Sequence, residues 1–126
     1  MLDHEEDSLV ESDQRQLRSL AEAEYAGRRA RSNWLPATLL SEPGWDGLLC
    51  LYISAGRGKR VSQAEFCMAS GAPEATALRW LAALETNGLA QTRRSPRDRE
   101  FECVELTEVG RLAMERWLRY RVTFPM

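Results

Sequence analysis

Guanidinium groups are the chemistry this sequence offers in quantity: 16 of its 17 basic residues are arginine, the side chain whose planar fork fits phosphates and guanine edges. Arg93, Arg94, Arg97 and Arg99 fall together around Pro96, a density suited to a phosphate backbone or an adjacent minor groove. The same cluster also reads as a solvated turn, with Asp98 and Glu100 cancelling part of its charge. Arg79 has a different setting. On a helix docked through Ala77, Trp80, Leu81 and Leu84, the opposite side carries Ala75, Arg79, Ala82, Ala83 and Thr86, flanked by Thr76. An outward helix face with nothing to approach ordinarily carries Glu, Lys and Gln; small side chains around one donor suit entry into the DNA major groove. There Arg79 can fork onto a guanine, while Ala75 and Thr76 can pack on thymine methyl groups. The plainer alternative is that alanines are good helix formers. Ser62 and Gln63, at the start of the preceding helix, can donate to a phosphate, though Ser62 serves equally well as a helix cap.

Other chemistries find no support. The single histidine is His4, there is no glycine-rich phosphate loop, and no carboxylate pair sits in an apolar setting, so no catalysis is expected. Cys50, Cys67 and Cys103 are odd in number, far apart and set in apolar runs, which reads as reduced thiols of the core. No C-x-x-C spacing occurs, and neither zinc nor any cofactor is expected.

The elements that must position these residues follow from patterning. The chain of 126 residues suits one hydrophobic core. Its formal charge of −2 is uneven: residues 1–14 hold six acids and no base, leaving 17 bases against 13 acids, a net of +4, on the rest. No stretch approaches the roughly 20 apolar residues of a membrane span, and the acidic start is unlike a signal peptide, so a cytoplasmic protein without membrane contact is expected. The reading divides the chain into a disordered acidic tail (1–7) and a single domain (8–126), the latter comprising an N-terminal helical extension (8–41), a DNA-binding core (42–106) and a C-terminal helix (107–121). A long helix is expected from Ser8, with a capping box at Ser8 and Glu11, to about Ser32, where Arg28, Arg29 and Arg31 suit the negative end of the helix dipole. A turn with one short helix over 35–40 follows, then a helix over 42–55 capped by Ser41. Ser62 and Glu65 form an S-x-x-E box opening a helix to about Ser70. Ser70-Gly71-Ala72-Pro73 breaks it, with Pro73 at the first position of the next helix, which Gly88 ends after Asn87. Strands over 89–92 and 101–106 flank the charged turn. Thr107 caps a last helix to about Tyr120 with Val109, Leu112, Ala113, Arg116 and Trp117 on one face. The fold class is mainly α with a small β-hairpin, a winged helix-turn-helix with N- and C-terminal dimerisation helices.

The segment VSQAEFCMASGAPEATALRWLAALETNGLAQ, followed by a charged hairpin and LTEVGR, resembles the MarR-type winged-helix transcription regulators of bacteria over about residues 42–121. The resemblance implies a homodimer whose terminal helices interlock, a recognition helix (73–87) in the major groove of double-stranded DNA, and a wing (93–99) on the backbone. It would assign Pro73, Ala75, Thr76 and Arg79 to the DNA-reading helix, the wing arginines to phosphates, and a small-molecule effector, as in many relatives, to a cleft that Tyr25, Trp34 and Trp117 could line, although core and dimer packing is the favoured use of these three. The wing departs from the family pattern: the usual Asp-x-Arg reads Asp98-Arg99-Glu100, with no glycine between Gly88 and Gly110. Two other readings compete, a winged helix used only for protein interaction and a ligand or redox sensor switched through a pocket or Cys67.

Overall fold

The structure is a computed structural model that describes residues 2–36, 42–94 and 102–124, with side chains from residue 10 onward. Helix α1 (Leu2–Ala30) passes through a single 3-10 turn (Arg31–Asn33). Then come α2 (Pro43–Gly56), a two-residue strand β1 (Val61–Ser62), α3 (Gln63–Ser70), α4 (Glu74–Thr86), β2 (Ala90–Arg94), β3 (Glu102–Leu106) and α5 (Glu108–Thr123). The three strands form one antiparallel sheet in the order β1-β3-β2, with Val61 opposite Val104 and Arg94 opposite Glu102.

Helix α1 begins six residues before the expected cap at Ser8. The acids read as a disordered tail stand in its first turns, where negative charge complements the positive end of the helix dipole, and Ser8 lies within the helix and not at its start. The expected short helix over 35–40 and the Ser41 cap fall largely outside the described residues. Glu42 is the N-cap of α2, with Pro43 in its first turn.

Two hydrophobic clusters share α2. In one, Leu17 and Ala21 of α1 pack with Leu49, Tyr52 and Ile53 of α2 and with Met114 and Leu118 of α5. In the other, Leu51 joins Val61, Phe66, Leu81, Leu84, Ala90 and Val104. Leu48 and Leu106 pack against both. Gly47 lets Phe66 approach α2, since a Cβ there would stand 2.5 Å from the phenyl ring.

The helix-turn-helix forms where local signals place it. Ser62 Oγ accepts from the Glu65 amide at 3.1 Å and Glu65 Oε1 accepts from the Ser62 amide at 3.4 Å, closing the capping box. Ser62→Ala should therefore cost about 1 kcal/mol of stability, readable as a lower urea midpoint at unchanged slope; an unaltered midpoint would mean that the box adds nothing. Gly71 closes α3 at φ 68°, a left-handed conformation available to glycine without strain. Pro73 is the N-cap of α4 and not its first helical residue, with extended backbone at ψ 148°.

Two faces differ from the sequence reading. On α4, Ala77, Leu81 and Leu84 are buried, but Trp80 is 45% exposed. Its ring lies at the rim against Gly44, where an added Cβ would come within 2.8 Å. On α5, the buried set is Gly110, Met114, Glu115 and Leu118, while Val109 (62%) and Leu112 (41%) are exposed. The apolar count missed this face because two of its members do not look apolar: Gly110 is packed on the Leu89 backbone, and Glu115 is held by Arg111 at 2.8 Å and the Tyr52 hydroxyl at 3.1 Å.

Candidate nucleic-acid interface

Docking of α4 through Ala77, Leu81 and Leu84 leaves Ala75, Arg79, Ala82 and Thr86 exposed, with Thr76 and Ala83 partly so. Thr76, Arg79, Trp80 and Ala83 line a shallow depression of about 300 Å³. Among the described residues no acid pairs with Arg79, so its five donors face solvent. Pro73 offers no side-chain cap, which leaves the first-turn amides of α4 outward, as an anionic oxygen requires. Glu74 stands in that turn and opposes an anion there, a feature the sequence reading overlooked.

Ser62 and Gln63 lie at the start of α3, Ser62 half-buried and Gln63 exposed. Gln63 and Glu74 share the lining of a hollow of about 400 Å³ with Cys67 and Met68, so the N-terminal ends of α3 and α4 flank one surface. The Ser62 oxygen acts as the cap acceptor, and its hydroxyl proton stays available to donate.

The hairpin arms continue from α4. Thr92 Oγ1 donates to Glu85 Oε1 at 2.7 Å, tying β2 to the end of that helix. Arg93 and Arg94 are exposed but paired: Arg93 Nε is 3.0 Å from Glu105, and Arg94 Nε is 3.0 Å from Glu102. Gln91 also donates to Glu105 at 2.9 Å. Arg97 and Arg99 lie outside the described residues. The two strand carboxylates thus hold the guanidinium groups that a phosphate backbone would take. The variant Glu102→Gln/Glu105→Gln should bind random-sequence duplex more tightly, with a salt dependence steeper by about 0.9 in log–log slope for each arginine that reaches a phosphate. An unchanged slope would mean that these arginines stay in solvent.

The arginines at the end of α1 do more than meet a helix dipole. Arg28 Nε lies 2.6 Å from Asp46 and its Nη1 3.1 Å from Glu42. The side chains of Arg28 and Asp46 are both buried; desolvation opposes the Arg28 charge, but the Asp46 hydrogen bond together with the charges of Asp46, Glu42 and Glu24 outweighs it and raises the Arg28 pKa. Arg29 lies over the Tyr25 ring at 5.0 Å and donates to the Ala69 carbonyl, as Tyr25 Oη does at 3.0 Å. Asp46 and Ala69 gave no sequence signal, because their partners are 18 and about 40 residues away.

The residues expected to line one effector cleft are not brought together. Tyr25 borders a cavity of about 270 Å³ with Glu22, Cys50, Ile53, Ser54 and Arg57. Trp117 instead packs edge-on against Trp45, centroids 4.7 Å apart, and Trp34 is 78% exposed. Burial pushes the Cys50 and Cys67 thiols up, which disfavours the thiolate that redox sensing needs. Among the described residues no helix is long and apolar enough to cross a membrane.

Helix, tight turn, docked second helix and antiparallel hairpin define a winged helix-turn-helix protein. No protein-family model and no curated protein sequence matches the chain. Among solved structures it is similar to Bordetella bronchiseptica BpsR, described for regulation of its DNA binding by 6-hydroxynicotinic acid, at TM-score 0.51 and 18% identity, covering 93% of this chain and 74% of that one. It also aligns with a point mutant of Lactococcus lactis ZitR at TM-score 0.49 and 15% identity, over 62% of this chain and 52% of ZitR, about half that protein's length. The transcriptional repressor CouR, solved with a 23-mer DNA duplex, aligns at TM-score 0.48 and 25% identity, over 82% of this chain and 66% of CouR. These neighbours are MarR-family transcription regulators, and the resemblance read from the sequence holds at the level of the fold.

Proposed function

We propose that this chain is a MarR-type transcription regulator that binds double-stranded DNA sequence-specifically as a homodimer, without catalysis of its own. One observation carries the reading: Arg79, unpaired among the described residues, stands among the small exposed side chains Ala75, Ala82 and Thr86 of α4, with Trp80 at the rim and Glu74 and Glu85 toward the helix ends, and this surface adjoins an arginine-bearing hairpin. In this reading Ala75, Thr76 and Arg79 read base edges from the major groove, while Ser62, Gln63, Pro73 and the wing residues Arg93, Arg94, Arg97 and Arg99 lie along the backbone.

The dimer follows from α5. Its buried face satisfies α1 within the chain, whereas Val109, Leu112 and Tyr120 are exposed along the same helix, with Phe124 beyond its end stacked on Tyr120 at 4.9 Å. A second copy supplies the matching apolar surface, and its two-fold axis would set two half-sites in an inverted repeat. Leu112→Glu should give monomers by sedimentation at concentrations where the parent is dimeric; a variant that stays dimeric would move the interface elsewhere.

The test is selection of genomic DNA fragments by the purified protein at two salt concentrations. Enrichment of a short inverted repeat, weakening steeply with salt, supports the reading. If no fragment is enriched even at low salt, the winged helix serves a protein partner.

A further inference from the structure

We propose that Arg29, with Tyr25, is a positioning residue that sets the angle of the recognition helix relative to the terminal helices, and so the spacing of the two half-sites the dimer accepts. The inference rests on the DNA-reading function proposed above. Its basis is where these two side chains end.

Ala69 lies in the last turn of α3, where carbonyls lack an intrahelical partner and carry the negative end of the helix dipole. Two donors from α1 converge on that one oxygen, the Tyr25 hydroxyl and the Arg29 guanidinium. The same guanidinium lies over the Tyr25 ring, stands 3.7 Å from Asp46 of α2, and occupies the space a Cβ on Gly71 would need. Gly71 is the residue at which the chain turns from α3 into α4, so Arg29 sits against the pivot of the recognition helix. Only a guanidinium, with its flat face and five donors, meets carbonyl, carboxylate and ring together.

The other half of α1 is fixed to the proposed dimer helix. Asp13 pairs with Arg119 of α5 at 2.8 Å, and Leu17 packs in the cluster with Met114 and Leu118. From Asp13 to Arg29 a helix rises about 24 Å, making α1 a rod from the dimer side to the pivot. Arg29 keeps 40% of its side chain exposed, so its contacts add little to stability while still fixing direction. Burial of the Arg28–Asp46 pair gives the opposite division of labour.

The test uses the full chain with nitroxide-bearing unnatural residues at exposed Ala23 of α1 and Ala82 of α4, in the parent, Arg29→Ala, Arg29→Lys and Tyr25→Phe. With labelled chains diluted into an excess of unlabelled ones, so that few dimers hold two labelled copies, the parent should show one narrow interlabel distance. Arg29→Ala should broaden it at nearly unchanged Tm, and Arg29→Lys and Tyr25→Phe should broaden it less. On duplexes carrying the selected inverted repeat with its halves moved by one base pair either way, the unlabelled parent should favour one spacing. Arg29→Ala should lose that preference and bind the best spacing about tenfold more weakly, within the usual range of site-to-site coupling. If Arg29→Ala keeps the parent's distance distribution, or keeps its spacing preference, the positioning role is wrong. If the parent selects no repeat, the DNA-reading function fails, and the positioning role of Arg29 stands or falls by the distances alone.

Discussion

Arg79→Ala should abolish selection of the inverted repeat while leaving weak, salt-sensitive binding to any duplex nearly intact. Arg79 is exposed and unpaired among the described residues, so its removal disturbs neither cluster, and Tm should stay within experimental error. What is lost is the fork onto a base edge, about 1–3 kcal/mol per half-site. Two half-sites double that figure in a dimer, a loss of about thirtyfold to about twenty-thousandfold in specific affinity. Arg79→Lys should recover affinity but not discrimination, because an ammonium reaches the groove as a point charge without the second donor. Competition between the selected repeat and a scrambled duplex checks this. An unchanged specificity ratio would remove Arg79 from base reading and shift attention to Thr76 and the hairpin.

The largest effect on stability is expected from Asp46→Ala. Arg28 and Asp46 are each more than nine-tenths buried and 2.6 Å apart, at the crossing of α1 and α2. Removing the carboxylate takes from a buried guanidinium its 2.6 Å partner, with Glu42 at 3.1 Å still among its neighbours, and breaking such a pair costs about 3–5 kcal/mol. The remaining Glu42 contact places this case at the lower end. Replacing both members, as Arg28→Met/Asp46→Leu, should restore most of the loss, since a well-packed apolar pair needs no desolvated charge. Urea unfolding of the parent, both single variants and the double variant checks this as a cycle. If the double variant is no more stable than Asp46→Ala, the pair supplies an attraction that packing cannot replace.

The sequence made the helix-turn-helix legible because its signals are local. The Ser62/Glu65 box, Gly71 and Gly88 each act within a few residues, and the structure places left-handed glycines at both helix ends, φ 68° and 73°. The outward face of α4 was legible too, since a 100° periodicity needs only the residues themselves. Trp80 escaped it because its exposure depends on a neighbour 36 positions away, Gly44, which gives the indole a flat backbone to rest on. The α5 face was misassigned for a related reason. Apolar counting cannot anticipate a buried Glu115 whose partners are Arg111 and a tyrosine from α2. Strand β1 has two residues and no period to detect. At the wing, the sequence showed both the arginines and the nearby acids, and only the register, with Arg94 opposite Glu102 and Arg93 diagonal to Glu105, revealed that they neutralise each other.

The helix shared by the two clusters governs what can be separated from what. Leu49, Tyr52 and Ile53 face the terminal helices while Leu51 faces the helix-turn-helix, and Leu48 touches both sides. A fragment cut down to residues 42–106 would carry Leu49, Tyr52 and Ile53 naked into water, at about 1.5–3 kcal/mol each, a large share of what a small domain has to spare. The helix-turn-helix and the terminal helices should therefore melt together, in one transition. On the proposed function, a new operator would then be acquired by changing the surface of α4, and not by grafting a foreign helix-turn-helix onto these terminal helices.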